Sequence, residues 1–270
     1  ETVYLKTVND AAKFEAALTA FLAREFPEIT VEPLAVDLEK NWMLMRELPG
    51  RSLRDCKTME AYTSFIRSYA EFQQQTISLT EKLLSLGTMD RRLPVLKLEI
   101  QEHLEALCTT GLNEEETAEI LALKPELLDM CDEMTGVLPD TLDHGDLHSA
   151  NVFVQRGKFR IFDWGDASVT HPFLSVRVFW NSLGELLEED TDEKWMRKIS
   201  EFRPVYLEKW REFAPADVLA HQLYLAEQVG CVYRALSWYL YITPYRVDQE
   251  ESYNKPSQWL QLLLDHRKLL

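Results

Sequence analysis

Residues 142–165 hold the densest set of side chains able to do chemistry. His144, Asp146 and His148 sit in one short segment, and Asn151 follows. Two β-rich runs, 152–154 and 159–162, then lead to Asp163. Two carboxylates and a carboxamide at the ends of a short hairpin suit a divalent cation beside an activated hydroxyl. Mg²⁺ prefers hard oxygen ligands, taking one or two from protein and the rest from phosphate and water. A carboxylate close by can accept or orient a hydroxyl proton.

The hairpin must position these groups. Arg156-Gly157-Lys158 reads as a three-residue loop, with glycine free to take positive φ. With Gly157 at its centre, Asn151 and Asp163 face each other, which predicts Cα atoms about 4.5–5.5 Å apart. Asp146 precedes the first strand by a loop long enough to return its carboxylate to the same place. A second chemistry uses the same residues differently, with His144, Asp146 and His148 as a His-x-Asp-x-His metal cluster of a hydrolase.

Around this stretch the pattern is mostly helical. Residues 3–8 alternate as a strand, with Tyr4 and Lys6 on one face. Asn9 or Asp10 offers an N-cap to an amphipathic helix containing Phe14, Leu18, Phe21 and Leu22, which ends before Pro27. Residues 29–36 and 42–46 read as strands, and Leu48-Pro49-Gly50 as a turn. A long helix is predicted from Tyr62 through Leu84, with further helices over 93–108, 114–134, 174–189, 192–213, 216–241 and 256–268. The composition changes near residues 46–50, which predicts a small strand-containing lobe over 1–47 and a large helical lobe over 48–270.

Bulk properties exclude several classes. The 270 residues carry a net charge of −16, against the basic surface that nucleic acid requires. Four well-separated cysteines (Cys56, Cys108, Cys131, Cys231) with no CxxC pair read as reduced core thiols of a cytoplasmic protein. No apolar run approaches the ~20 residues of a membrane span, and no signal peptide is visible.

The order His-x-Asp, Asn, strand, turn, strand, Asp-x-Gly follows the catalytic-loop and metal-Asp arrangement of protein-kinase-like enzymes. His144-Gly145-Asp146-Leu147-His148, with Asn151-Val152 and Phe162-Asp163-Trp164-Gly165-Asp166-Ala167, resembles the aminoglycoside phosphotransferase / choline kinase family. The segments 168–173 and 86–93 are similar to it too. The resemblance implies an α+β, protein-kinase-like, two-lobed fold and an ATP- and Mg²⁺-dependent transfer of the γ-phosphoryl group to a small-molecule hydroxyl. It implies Asp146 as catalytic base and Asn151 and Asp163 as metal ligands. It further implies Lys6 as the lysine on the ATP phosphates, Glu15 as its ion-pair partner, and Arg46, Glu47 and Leu48 as the hinge whose backbone meets adenine. His144 would hold the loop, His148 would hold it too or reach a phosphate, and Asp166 would cap a helix or meet a substrate amine.

The family places a strand, a nucleotide-covering loop and another strand before that lysine, whereas Lys6 is sixth here. The small lobe is therefore expected to be incomplete, and a catalytically inactive pseudokinase or nucleotide-binding module stands as the alternative. The acceptor stays open among aminoglycosides, amino alcohols, sugars and hydroxy amino acids. An acidic run (Glu185, Glu188, Glu189, Asp190, Asp192, Glu193) and the aromatics Trp180, Tyr233, Trp238, Tyr239 and Tyr241 are candidate acceptor contacts. They equally read as a solvated helix end and as core.

Overall fold

The start of the chain becomes a strand through backbone pairing, with Lys6 the one partly buried side chain and the others exposed. In the computed structural model, which describes residues 2–187 and 191–269, β1 (Val3–Thr7) pairs antiparallel with β3 (Trp42–Arg46), and β2 (Ala35–Asp37) lies on the far side of β3. The register sets Tyr4 opposite Met45 and Lys6 opposite Met43. The strand expected over 29–36 survives only at its end: Pro33 has no N–H for a ladder, and Thr30 instead bridges Ile161. Asn9 does cap, accepting the N–H groups of Ala11 (3.0 Å) and Ala12 (3.1 Å), but what it caps is a 3-10 turn at Asp10–Ala12. Helix α1 (Glu15–Glu25) begins after that turn and ends ahead of Pro27.

Beyond Gly50 the chain is largely helical. β4 (Arg51–Ser52) and α2 (Leu53–Cys56) lead to α3 (Met59–Thr76) and α4 (Thr80–Ser85). The single long helix expected through Leu84 is interrupted by a 3-10 turn at Ile77–Leu79. Thr76 explains the break, since its hydroxyl donates back to the Gln73 carbonyl (2.7 Å) while accepting the Leu142 N–H (2.9 Å). After β5 (Met89–Asp90), helices α5 (Leu93–Cys108) and α6 (Glu114–Met134) fall where periodicity predicts, and Asn113 and Glu116 form a capping box. Strands β6 (Thr141–Asp143), β7 (Val152–Gln155), β8 (Lys158–Ile161) and β9 (Ser168–Thr170) carry the loops of interest. Helices α7 (Val176–Ser182), α8 (Asp192–Glu208), α9 (Ala216–Leu236) and α10 (Lys255–Leu269) complete the chain, and a π-helical segment, Ser237–Ile242, prolongs α9.

The hairpin differs from the expected one by a single residue. β7 and β8 pair Val152 with Ile161 and Gln155 with Lys158. The loop is therefore Arg156-Gly157 alone, both at positive φ (52° and 76°), as in a type I′ turn. Asn151 consequently faces Phe162 and not Asp163, and its carbonyl accepts the Phe162 N–H at 3.2 Å. β4 joins the other edge of β7. This contact needs a bare backbone at Gly50, where a Cβ would stand 2.5 Å from the Val154 carbonyl oxygen.

A third small sheet, in the order β5-β9-β6, was not legible in the sequence. Its strands of two and three residues are too short to show a period. The core beneath it is aromatic: Trp164 meets Phe72 at 5.6 Å and His144 at 4.7 Å between ring centroids. All four cysteines are free and buried, and among the described residues no helix is long and apolar enough to cross a membrane.

Asp143 ends β6 inside this core. Its Oδ1 accepts the Gly145 N–H (2.7 Å) and its Oδ2 the Ser175 N–H (2.9 Å). Burial nevertheless raises its carboxyl to about 6. The folded protein thus holds this proton past the point, near pH 4, where the unfolded chain releases it. The stability associated with the protonated form is complete below pH 4 and lost as pH rises to about 6, a difference of about 3 kcal/mol. Asp143→Asn cannot titrate. Thermal unfolding from pH 4 to 7 should therefore show the wild type losing stability relative to this variant, and parallel curves would exclude the effect.

Candidate active site

Lys6 projects from β1 towards two carboxylates. Its Nζ lies 2.5 Å from Glu15 Oε1 on α1 and 2.5 Å from Asp163 Oδ1 beyond β8. Glu15 is 1 % exposed, so burial pushes its carboxyl above the usual range against the pull of Lys6. For Lys6, burial lowers the ammonium pKa, but Glu15 and Asp163 more than reverse this and leave it raised. For Asp163, burial raises the carboxyl, and Lys6 more than reverses this and leaves it below its ordinary value. The lysine is held as a cation and Asp163 as an anion.

The same residues line a cleft of about 470 Å³, together with Tyr4, Met43, Met45, Arg46, Glu47, Leu48 and Phe162. A volume of that order is usual for a small-molecule or cofactor pocket. All five residues assigned to nucleotide binding (Lys6, Glu15, Arg46, Glu47, Leu48) therefore share one wall system. Within the hinge, Glu47 has already given its N–H to the Thr2 carbonyl (3.1 Å).

The loop after β6 brings the second group. Gly145 at φ +76° lets the loop lie directly on the Asp163 turn, where a Cβ would stand 2.1 Å from the Asp166 carbonyl oxygen. His144 is fully buried and neutral by desolvation, its pKa lowered. Its Nδ1 accepts the Asp146 N–H (3.3 Å), and its Nε2 donates to the Phe162 carbonyl (2.9 Å). Both nitrogens are spent on holding the loop, so His144 cannot serve in a His-x-Asp-x-His metal cluster. Among the described residues no three His, Cys, Asp or Glu side chains converge as one. His148 likewise holds the loop, accepting the Ala150 N–H at Nδ1 (3.2 Å) and standing 3.5 Å from Asp146 Oδ2 at Nε2. Asn151 donates its amide to the Asp146 carbonyl (3.0 Å), so oxygen is the end of the carboxamide left for a cation. Asp163 itself lies at φ 66°, which turns the chain sharply out of β8 with its carboxylate half exposed.

Several acceptor-side expectations change. Glu185 is not a free carboxylate: it accepts from Tyr62 (2.5 Å), Ser149 (2.6 Å) and Arg54 (2.9 Å), tying the loop to α2 and α3. Glu193 pairs with Arg197 on α8, and Glu188, Glu189 and Asp190 lie outside the described residues. Asp166 makes no cap. Its Oδ2 receives Arg234 NH1 at 2.6 Å. The aromatic candidates are occupied by the chain's own cations, for Arg91 lies over Tyr233 (3.9 Å) and Tyr241 (5.4 Å), and Arg234 over Trp238 (5.4 Å). Trp180 is buried and donates to Glu227.

Arg234 was missed in the sequence reading. Its NH2 lies 2.7 Å from Asp146 Oδ1, so one guanidinium joins Asp146 to Asp166. The signal was present: Arg234 is the lone charged residue in the run 229–236, on a helix face otherwise buried.

The model of the phosphotransferase enzyme family matches residues 3–213. No curated protein matches the sequence. Among solved structures, aminoglycoside phosphotransferase APH(3'')-Id from Streptomyces rimosus is 14% identical, over 85% of this chain and 86% of that one, with a TM-score of 0.57. A choline/ethanolamine kinase family protein from Mesorhizobium loti is 14% identical, over 98% and 83%, with a TM-score of 0.58. An ethanolamine kinase from Plasmodium vivax is 12% identical, over 97% and 75%, with a TM-score of 0.63. At these identities the likeness is one of fold, α+β and protein-kinase-like.

Replacing Gly145 with alanine should cost about 3 kcal/mol or more, since the new Cβ meets backbone oxygen at a φ disfavoured for L-residues. Denaturant unfolding measures this, and a loss under 1 kcal/mol would mean the loop is free to shift.

Proposed function

Because the chain belongs to the phosphotransferase enzyme family, we propose that it is an ATP- and Mg²⁺-dependent small-molecule kinase that transfers the γ-phosphoryl group to a hydroxyl. One observation carries this reading. Lys6 shares its ammonium between Glu15 and Asp163 inside a nucleotide-sized cleft, with residues of three distant segments converging. A surface lysine has no physical reason to gather two carboxylates, one of them buried.

The roles follow from the chemistry of each group. Lys6, kept charged, meets the phosphates, and buried Glu15 fixes its direction. Met43, Met45 and Phe162 supply an apolar wall for a base, and Glu47 and Leu48 supply hinge backbone. Because Glu47 N–H is spent, the Leu48 N–H is the available donor. Asn151 Oδ1 and the half-exposed Asp163 carboxylate are hard oxygen donors of the kind Mg²⁺ takes, and bound Mg²⁺ neutralises charge developing on the phosphoryl oxygens. Asp146 orients the acceptor hydroxyl and takes its proton. We place the nucleotide lobe at residues 1–47 and the helical lobe at 48–270, and we assign the protein to the cytoplasm. The acceptor is an aminoglycoside, amino alcohol or sugar.

Two measurements test this. Mg·ATP should raise the melting temperature of the wild type and not of Asp163→Ala. ADP release in the presence of aminoglycosides, ethanolamine, choline and glucosamine should fall at least 10³-fold in Asp163→Ala and in Asp146→Asn, with Asp146→Asn still stabilised by Mg·ATP. Stabilisation without any ADP release would instead identify a nucleotide-binding module that performs no transfer. Equal stabilisation of wild type and Asp163→Ala would remove the metal assignment.

A further inference from the structure

Two segments build the reacting end of this site: the loop 144–148 and the turn 163–166. Their backbones approach closely where Gly145 rests on the Asp166 carbonyl. The His144 ring packs on Trp164 (4.7 Å), and a side chain from a third element bridges the two carboxylates. Arg234, 3 % exposed on its side chain, sends NH2 to Asp146 Oδ1 (2.7 Å) and NH1 to Asp166 Oδ2 (2.6 Å). Trp238, one turn further along, covers the guanidinium at 5.4 Å from the ring centroid. Trp238 belongs to the π-helical segment Ser237–Ile242, and such departures from α-helical winding are frequent at functional sites.

A buried ion pair is a poor device for stability, because desolvation offsets most of the attraction. A planar guanidinium with two parallel edges is a good device for geometry, because it fixes two carboxylates at once in distance and angle. It also divides the Asp146 carboxylate. Oδ1 is taken by Arg234, which leaves Oδ2, the oxygen 3.5 Å from His148, to receive a hydroxyl.

We propose that Arg234 is a positioning residue for phosphoryl transfer, locking Asp146 by one edge and the Asp163 turn by the other, so that a single Asp146 oxygen faces the acceptor. The assignment rests on the kinase reading above. It makes Arg234 matter chiefly for the transfer step, because Glu15, which also holds Lys6, and the hinge do not touch it. Misplacing a reacting group by about 1 Å costs on the order of 10²-fold in rate. Lysine keeps the charge but reaches only one carboxylate at a time.

The test measures Mg·ATP turnover by ADP release, with water or the best acceptor of the panel above, for wild type, Arg234→Met, Arg234→Lys and Asp166→Asn. The stabilisation of each by Mg·ADP is measured in parallel. Arg234→Met should lose about 10²-fold in kcat with KM for ATP within two-fold of wild type. Arg234→Lys should recover part of that loss. Asp166→Asn breaks only the outer half of the clamp and should lose about ten-fold in kcat, again at unchanged KM for ATP. Wild-type kcat in Asp166→Asn overturns the proposal even if Arg234→Met fails to fold. So does a rise in KM for ATP that matches the fall in kcat. An inactive wild type is a different failure, removing the kinase reading and this assignment with it, whereas an active wild type with unaffected Arg234 variants removes the clamp alone.

Discussion

A single ammonium group answering two carboxylates is the constraint on which the rest of the molecule depends. Lys6 comes from the first strand, Glu15 from the first helix and Asp163 from the far end of a hairpin more than a hundred residues later. Glu15 is almost wholly buried, and burial pushes its carboxyl up against the pull of Lys6, so removing Lys6 would take away the one cation that opposes that push. The arrangement is asymmetric, with one carboxylate committed to the interior and the other half exposed at the cleft. That asymmetry separates a group that orients the lysine from one available to a cation.

The second half of the site is built by close backbone approach. Positive φ at Gly145 and at Asp163 folds two turns against each other, and buried Asp143 and neutral His144 pin the loop by accepting and donating backbone hydrogen bonds. These interactions are fixed by the fold before any ligand enters, which is how a site avoids reorganisation during transfer. Glu185 extends the support outward by joining the loop residue Ser149 to Arg54 and Tyr62.

Much of this was legible in the sequence, and the parts that were not have physical reasons. Helices such as α5 and α6 declared their extent through the period of their apolar residues. The motif residues from His144 to Asp163 announced their chemistry by type and order. The hairpin register failed by one residue, since Arg156 takes positive φ beside Gly157, a conformation its type does not announce, and the loop needs no third member. The third sheet was invisible because strands of two or three residues have no measurable alternation. Arg234 escaped because periodicity reads a helix face as apolar or polar, and a lone buried cation satisfies neither description until its partners are known. The carboxylates it serves come from elsewhere in the chain.

Arg91 and Arg234 lie over Tyr233, Tyr241 and Trp238. An electron-rich ring face that already hosts a guanidinium has spent its attraction for positive charge. A positively charged acceptor reaching Asp146 would find Trp238 already facing Arg234 and would have to be held by oxygen atoms instead. Discrimination among amines at this site would then follow the number of N–H donors an amine can offer, and fully alkylated nitrogen, which has none, would be the poorest guest.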